Sequence, residues 1–324
     1  MFKSLLKKIL PDRILRLETQ KVQPESPSPS PADRRKKYLY IDQAEMARTI
    51  REKPPRGVSG ASGVPRLLIS LTSIPSRMAD IHFAVYSLLN QTLKPDAVIL
   101  YLGREHFPDG EEGLPEGLLL MKRHGLQIRF VQDRKPYTKF IYALAEHPDS
   151  FIVTADDDIY YPEDWLEKLW KTHEAHPDCI AAHRAHRVKM NPDGSLLPYQ
   201  KWGFTKGIPE PSFLNFLTGV GGVLYPPRCL HEDAGNAEKF VRLSEFADDI
   251  WFWACAVRKG TKICCVPDGY PKPVFVNIDR ELRLTKAPTL AMQNNTEKNA
   301  NDVQLKNVLT EYPEILEKLH AEPV

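Results

Sequence analysis

Two groups of carboxylates have the residue types for chemistry with a metal ion. Asp156, Asp157 and Asp158 directly follow the apolar run FIVTA, and Asp248 and Asp249 precede another apolar run, IWFWACAV. Three adjacent carboxylates repel one another, and a hard divalent cation held by one or two of them and by substrate phosphate oxygens offsets the repulsion. Alternation in an extended segment puts Asp156 and Asp158 on one side, so the sequence predicts that these two bind Mg²⁺ or Mn²⁺. Helix capping by one Asp, with the others solvated, is the alternative.

The segments around these carboxylates alternate between predicted strands and predicted helices. Short apolar runs predict strands, and amphipathic runs between them predict helices. This order is typical of an α/β fold, with a mostly parallel sheet covered by helices on both faces. Ligands of such sheets bind beyond the carboxyl ends of the strands, which is where the trio lies. The predicted strands are 66–73, 97–103, 128–133 and 150–158, and the predicted helices are 79–91 and 137–147.

The trio also belongs to a longer pattern. The segment TADDDIYYPEDWL resembles the DxD motif of glycosyltransferases with the GT-A fold. Together with the segments below, it resembles bacterial family 2-like glycosyltransferases that build capsule or lipopolysaccharide glycans, over residues 64–278. The first loop departs from the commoner PxYN type of that family. The other matching segments are ISLTSIPSRM, SLLNQT before KPDAVIL, TGVGGVLYPP and EFADDIWF.

This resemblance implies a GT-A fold and a metal that binds the diphosphate of a nucleotide-sugar, with a UDP-sugar as the expected donor and a glycan, such as a lipid-linked one, as the acceptor. Direct displacement at the anomeric carbon needs a general base apart from the metal. By resemblance to inverting members, Asp249 is that base and Asp248 its neighbour. Capping of the helix by Asp248 is the competing interpretation, and both can hold at once.

Further candidates for the nucleotide-sugar site follow the first strand. A diphosphate needs amides, hydroxyls and cations around it, and Thr72, Ser73 and Arg77 supply hydroxyls and a cation. Capping by Ser76, with Arg77 solvated, is the alternative. Asp156 and Asp157 are also assigned to this donor site.

Two polar residues and three aromatic residues are further candidates. Asp133 resembles the family's contact to uracil or ribose, and Lys139 lies where a first helical turn could present it to phosphate, with surface charge as the alternative. Trp202, Phe204 and Trp251 are candidates for stacking on sugars, although core burial is the expectation for each.

The N-terminal residues differ from the body in charge. Residues 1–66 contain 15 Lys and Arg against 7 Asp and Glu, a net charge of +8, whereas the remainder carries −6. Residues 1–18 predict a basic amphipathic helix that binds an anionic membrane surface, the body or a partner protein. Residues 19–63 predict a Pro/Ser/Gly-rich linker with a short helix, and residues 64–324 the catalytic domain with a helical tail.

The same features exclude some classes of protein. The chain has no run of about 20 apolar residues that could cross a membrane as a helix. Its five cysteines have no metal-ligand spacing, which indicates a reducing compartment and a cytoplasmic protein, peripheral on the inner membrane face. Nucleic-acid binding is not expected because the body is acidic.

Two other functions remain possible interpretations of the pattern. A nucleotidyltransferase that makes an activated sugar would need a Gly-rich phosphate loop, and LTSIPSRM contains no glycine. A non-catalytic glycan-binding protein would not need the intact carboxylates. In the late Asn-rich loop, Asn294 and Asn295 are lid candidates, with a solvated loop as the default.

Overall fold

The computed structural model describes residues 35–60, 63, 66–204, 210–267, 269, 272–284 and 300–322. The predicted basic helix at 1–18, the Pro/Ser tract at 24–31 and the lid candidates Asn294 and Asn295 lie outside the described residues. Among the residues that are described, no helix is both long enough and apolar enough to cross a membrane.

A seven-stranded sheet forms the centre of the fold. The described strands are β1 Leu39–Tyr40, β2 Leu67–Ser73, β3 Ala97–Gly103, β4 Leu126–Val131, β5 Phe151–Thr154, β6 Ile159–Tyr160, β7 Ile180–Ala182, β8 Ala185–Arg187, β9 Gly203–Phe204, β10 Asn215–Leu217, β11 Val223–Tyr225, β12 Ile263–Cys265 and β13 Val274–Phe275. The central sheet has the order β12-β7-β11-β5-β2-β3-β4, and only β11 runs antiparallel to its neighbours. It is therefore mostly parallel, which confirms the predicted α/β class.

Helices cover both faces of this sheet. Successive side chains of a strand point to opposite faces, so Ile69 and Leu71 of β2 pack in one apolar cluster and Leu68 in the other. Both faces are therefore apolar, as parallel strands require. The described α-helices are α1 Gln43–Glu52, α2 Ile81–Leu89, α3 Glu116–Leu120, α4 Thr138–Glu146, α5 Trp165–Ala175, α6 Ala237–Ser244, α7 Asp248–Lys259, α8 Ile278–Leu284, α9 Ala300–Glu311 and α10 Glu314–His320.

Helix α7 is the most deeply buried helix near the carboxylates. Trp251 and Trp253 on it are both 0% exposed. Burial of a large aromatic side chain contributes about 2–3 kcal/mol to folding, so packing fixes this helix firmly. It ends at Gly260, whose left-handed φ of 89° suits a residue without a Cβ. The first turn of α7 is therefore held in a defined position at the edge of the sheet.

Part of the predicted linker is integral to the fold. Strand β1 pairs in parallel with β13, and Met46 of α1 is 1% exposed within the core. The predicted boundary at residue 64 is therefore too late, and the packed body begins near Tyr38. The sequence around residue 40 does not reveal this start, because its partner strand β13 lies more than 200 residues further along the chain.

Two small sheets flank the central one. Strands β1, β13 and β6 form the first, and β10, β8 and β9 form a second that is wholly antiparallel. The second sheet leads through residues 218–222 into β11 of the central sheet. This connection brings the antiparallel sheet beside the carboxylates.

Candidate active site

The acidic trio lies in a turn beyond the end of β5. The strand ends at Thr154, and the backbone amide of Asp156 donates to the hydroxyl of Tyr161 at 2.7 Å. Because the segment is not extended, the predicted alternation does not hold: one guanidinium nitrogen contacts both Asp157 and Asp158. The turn collects the three carboxylates at the carboxyl edge of the sheet.

Residues from the end of β2 hold Asp157. The hydroxyl of Ser73 and the guanidinium of Arg77 both donate to its carboxylate, and Asp157 is 5% exposed. The same Arg77 lies 2.8 Å from Oδ2 of Asp158. Ser73 and Arg77 therefore contact the trio, and their predicted role in binding a diphosphate stays a prediction.

Lys139 joins the trio to the acidic pair. Its Nζ lies 3.5 Å from Oδ1 of Asp156 and 3.3 Å from Oδ2 of Asp248. Lys139 stands in the first turn of α4, and Ser70 of β2 donates to its carbonyl oxygen. One ammonium thus bridges carboxylates that are 92 positions apart in sequence.

The acidic pair opens α7 without capping it. The N-cap residue is Ala247, which makes no side-chain capping bond, and Asp248 and Asp249 are the first two helical residues. Capping by Asp248 is therefore wrong. Oδ1 of Asp249 instead accepts a hydrogen bond from the amide of Gly219 at 2.8 Å.

The glycine turn at 219–222 brings backbone close to the carboxylates. A Cβ at Gly219 would lie 3.0 Å from Nζ of Lys139 and 3.2 Å from Oδ1 of Asp249. Trp165 of α5 anchors the same turn, since its Nε1 donates to the carbonyl of Gly221 at 2.5 Å. Gly222 has a φ of +94° and lies against Trp165, where any Cβ would clash at 2.3 Å. Close approach of neighbouring side chains therefore favours glycine at positions 219 and 222.

We call the group formed by these side chains the acidic cleft. It comprises Asp156, Asp157, Asp158, Asp248, Asp249, Arg77 and Lys139. Five carboxylates face two cations, so negative charge is in excess.

The excess charge and burial perturb two of the carboxylates. Burial raises the pKa of Asp156 to about 6, although Lys139 opposes the rise. Burial, and then the charge of Asp248, raise the pKa of Asp249 to about 7, again against Lys139. For Lys139, burial disfavours the ammonium, but Asp248 and Asp156 outweigh it and raise its pKa. A pKa near neutrality is the property that a general base needs at physiological pH.

The acidic cleft has the chemistry for a divalent cation. Hard carboxylate oxygens are the ligands that Mg²⁺ and Mn²⁺ prefer, and the excess negative charge attracts a cation. Within the described part of the chain, no three His, Cys, Asp or Glu side chains form a group that could hold a metal ion. A cation on Asp156 and Asp158 would therefore need substrate oxygens to complete its coordination, as phosphate-bound Mg²⁺ does.

Two predicted donor residues are engaged elsewhere. The hydroxyl of Thr72 donates to the carbonyl of Tyr101 on β3 at 2.8 Å, so its proton is used within the sheet. Asp133 follows β4 and accepts from the amide of Lys135 at 3.0 Å and from the hydroxyl of Thr138 at 3.2 Å. None of their hydrogen bonds within the described residues reaches the acidic cleft.

Some residues near the cleft carried no usable sequence signal. Glu281 of α8 has its pKa raised to about 7 by burial and then by the charge of Asp158. The next residue toward the N-terminus, Arg280, is bound to Asp80 at 2.6 Å. These residues come from the far end of the chain, and only the fold brings them to the trio. Tyr161, in contrast, lies inside the matched DxD segment and could have been chosen from it.

The aromatic candidates divide by exposure. Trp202 and Trp251 are buried, as expected of core residues, whereas Phe204 is 53% exposed. Phe204 alone of the three has a ring that a ligand can reach in this structure.

Comparisons with known proteins find structures but no sequence family. No protein-family model and no curated protein matches this chain. Among solved structures, S. aureus TarS 1-349 in complex with UDP is similar at 13% identity and a TM-score of 0.42, over 76% of this chain and 71% of that chain.

Two further solved structures are similar at the same level. A cytidylyltransferase from Leptospira borgpetersenii serovar Hardjo-bovis has 11% identity and a TM-score of 0.39, over 79% of this chain and 97% of that chain. A CMP:2-keto-3-deoxy-manno-octonic acid synthetase complexed with CTP has 9% identity and a TM-score of 0.41, over 68% and 96%. At these levels of similarity, functional conclusions depend on this chain's own residues.

Proposed function

We propose that this protein is a metal-dependent glycosyltransferase that moves a sugar from a UDP-sugar to a cell-surface glycan. The observation that carries the proposal is the convergence of the acidic trio and the acidic pair on Lys139, at 3.5 Å from Asp156 and 3.3 Å from Asp248. A metal-binding carboxylate group and a separate carboxylate base, close together at the carboxyl edge of a parallel sheet, suit transfer from a diphosphate donor.

The trio and its neighbours form the donor side of the proposed site. Asp156 and Asp158 would hold Mg²⁺ or Mn²⁺, which when bound neutralises charge on the departing diphosphate. Arg77 and Lys139 add positive charge beside it, and Ser73 keeps Asp157 in place. With the metal bound, these two cations would add charge-assisted hydrogen bonds to the diphosphate.

Asp249 forms the acceptor side. The amide of Gly219 fixes Oδ1, and no hydrogen bond within the described residues engages Oδ2. An acceptor hydroxyl on Oδ2 gives its proton to the carboxylate as its oxygen bonds to the anomeric carbon. The bond from that carbon to the diphosphate oxygen breaks, and UDP leaves with the electron pair. Attack opposite the leaving group inverts the configuration.

The basic N-terminal region has the charge to bind an anionic membrane surface. The net charge of +8 on residues 1–66 would attract the chain to an anionic surface, where lipid-linked glycans are extended. We therefore assign the enzyme to the inner face of the cytoplasmic membrane, as a peripheral protein.

A donor screen tests the proposal. Purified full-length protein is mixed with UDP-sugars and Mn²⁺, and thermal stabilisation and UDP release are measured. We expect stabilisation and turnover that disappear with EDTA and return with Mn²⁺ or Mg²⁺. Asp156→Asn should lose both, whereas Asp178→Asn, an exposed acid outside the cleft, should behave as wild type.

Two outcomes would contradict the proposal. Turnover that is insensitive to EDTA removes the metal role. Release of pyrophosphate from CTP or UTP with a sugar substrate, without glycosyl transfer, would identify a nucleotidyltransferase instead.

A further inference from the structure

The antiparallel sheet beside the acidic cleft presents an exposed aromatic ring that is held on two sides. Phe204 of β9 stacks on His186 with ring centroids 4.6 Å apart. The guanidinium carbon of Arg184 lies 4.5 Å from the centroid of the same phenyl ring. A ring that is 53% exposed yet fixed by a cation and an imidazole is prepared for a ligand.

The cross-strand register makes this arrangement rigid. His186 of β8 pairs with Phe204 on one side and with Phe216 of β10 on the other. Tyr199 packs edge-on against His186 at 5.2 Å and against Phe216 at 5.6 Å. Directly opposed residues share one face of a sheet, so these rings form one surface. We call Phe204, His186, Tyr199 and Arg184 the aromatic platform.

The aromatic platform is joined to the proposed base. The carbonyl of Arg184 accepts from the amide of Thr218 at 3.2 Å, and the next amide, that of Gly219, binds Asp249. Burial and then the charge of Asp249 raise the pKa of Tyr199, while Arg184 opposes the rise. Tyr199 is therefore within electrostatic reach of Asp249. One backbone hydrogen bond and one peptide unit therefore connect the platform to the amide that holds Asp249.

The charge of this region is opposite to that of the body. Residues 183–204 contain four basic side chains and one acidic side chain, Asp193, which bonds to Ser195 in an outlying turn. Burial lowers the pKa of His186 to about 4, so the imidazole is neutral and the positive charge comes from Arg and Lys. The four basic residues are Arg184, Arg187, Lys189 and Lys201.

We propose that the aromatic platform is the acceptor subsite and that the acceptor is a sugar bearing an anionic group, a carboxylate or a phosphate. This inference rests on the proposed function. The apolar C–H face of a sugar ring packs on Phe204, and Arg184 pairs with the anionic group. Such a sugar would present a hydroxyl toward Asp249 across the Thr218–Gly219 link.

Binding of three defined sugars to full-length protein tests the inference. Hyaluronan tetrasaccharide supplies carboxylates, glucose 6-phosphate supplies phosphate, and maltotetraose is the neutral control. Saturation-transfer NMR and titration at low salt are compared for wild type, Phe204→Ala, Arg184→Gln and Val303→Ala. Val303 of α9 has the same 53% exposure as Phe204 and serves as the matched control. UDP affinity with Mn²⁺ is measured in the same samples.

We expect at least one anionic sugar to bind about tenfold more tightly than maltotetraose. Phe204→Ala should weaken that binding about tenfold, and Arg184→Gln should abolish the preference for the anion. Val303→Ala should match wild type, and UDP affinity should be unchanged throughout. The carboxylate and phosphate sugars distinguish the two sources of the anion.

Other results would overturn the inference without touching the proposed function. The subsite is ruled out if wild type binds UDP but none of the sugars. It is also ruled out if Phe204→Ala binds the sugars as wild type does. Phe204→Ala that loses binding to phosphatidylglycerol vesicles but not to sugars would make the platform a membrane contact. Absence of UDP binding in wild type would instead count against the proposed function.

Discussion

The acidic cleft and the aromatic platform are neighbours in the fold but differ in the sign of their charge. The cleft gathers five carboxylates around two cations, and its contacts are charged hydrogen bonds within a largely buried space. The platform carries one cation, Arg184, among aromatic rings that are partly open to solvent, and it lies in a segment with four basic residues and one acid. A cleft of this kind attracts a cation, whereas the platform attracts an anion.

Residues 218–222 lie between the acidic cleft and the aromatic platform and are hydrogen-bonded to both. Residues 218–222 run from the antiparallel sheet to the central sheet, and the amide of Gly219 holds Asp249 while Thr218 holds Arg184. If the proposed metal and the proposed anionic acceptor both bind, regions of opposite charge at the two ends of this turn would favour each of them on its own side.

The largest expected effect on the rate of transfer comes from replacing the proposed base, Asp249. Asp249→Asn should lower transfer about 10³-fold, because the amide cannot accept the acceptor's proton. UDP affinity with Mn²⁺ should stay within about twofold of wild type. Steady-state kinetics and calorimetry measure the two, with Asp109→Asn, an exposed acid outside the cleft, as control. Near-wild-type transfer would remove Asp249 from the mechanism.

The same variant should alter stability in a defined pH window. The folded pKa of Asp249, about 7, lies above the unfolded value of 3.8, so its stabilising proton is lost as pH rises through about 7. Metal-free Asp249→Asn should therefore exceed wild type in free energy of unfolding by roughly 4 kcal/mol at pH 8, and the gain should vanish below pH about 4. Urea unfolding at both pH values measures it, and a gain that does not depend on pH would contradict it.

Removing the bridging cation should have a smaller effect on rate and a visible effect on pH dependence. Lys139 lowers the pKa values of Asp156 and Asp249, so Lys139→Met should move the rising limb of the kcat/KM profile upward by about one pH unit. Transfer at pH 7 should fall about tenfold and recover at higher pH. Lys168→Met removes a more exposed ion pair with Asp164 and should leave the profile unchanged. A uniform loss at all pH values would mean a purely structural role.

A larger side chain at Gly219, between Lys139 and Asp249, should have a modest effect on kcat. A Cβ at Gly219 would lie 3.0 Å from Nζ of Lys139, so Gly219→Ala should displace both Lys139 and Asp249 by a few tenths of an ångström and lower kcat several-fold. The control is Gly235→Ala, where no atom lies within 4 Å of the added Cβ. Equal kinetics for the two variants would show that Lys139 and Asp249 tolerate this displacement.

The smallest effect on chemistry is expected from the basic N-terminal residues. Deletion of residues 1–34 should leave UDP release within about twofold of wild type but reduce binding to phosphatidylglycerol vesicles. Deletion of residues 1–60 also removes β1 and the buried Met46, and should cost several kcal/mol of stability. Vesicle sedimentation and urea unfolding separate the two truncations. A 1–34 deletion that loses UDP release would show that these residues belong to the catalytic unit.

Much of the fold could be predicted because its signals are local. Residues within one element predict the strands at 67–73 and 97–103 and the helix α2. The boundary near residue 64 was wrong because β1 depends on β13, and the alternation of the trio was wrong because β5 ends at Thr154. Tertiary contacts determine both the boundary and the conformation of the trio, and the periodicity of the sequence does not reveal such contacts.

The α/β class, the acidic trio after a strand and the acidic pair at the start of a helix could all be predicted from the residues, since they depend on side-chain type and on neighbours a few positions away. The folded chain alone shows that both groups meet at Lys139, that the amide of Gly219 binds Asp249, and that Phe204 is exposed while Trp202 and Trp251 are buried. Those facts depend on contacts between residues tens of positions apart, and such contacts form only when apolar packing brings the elements together.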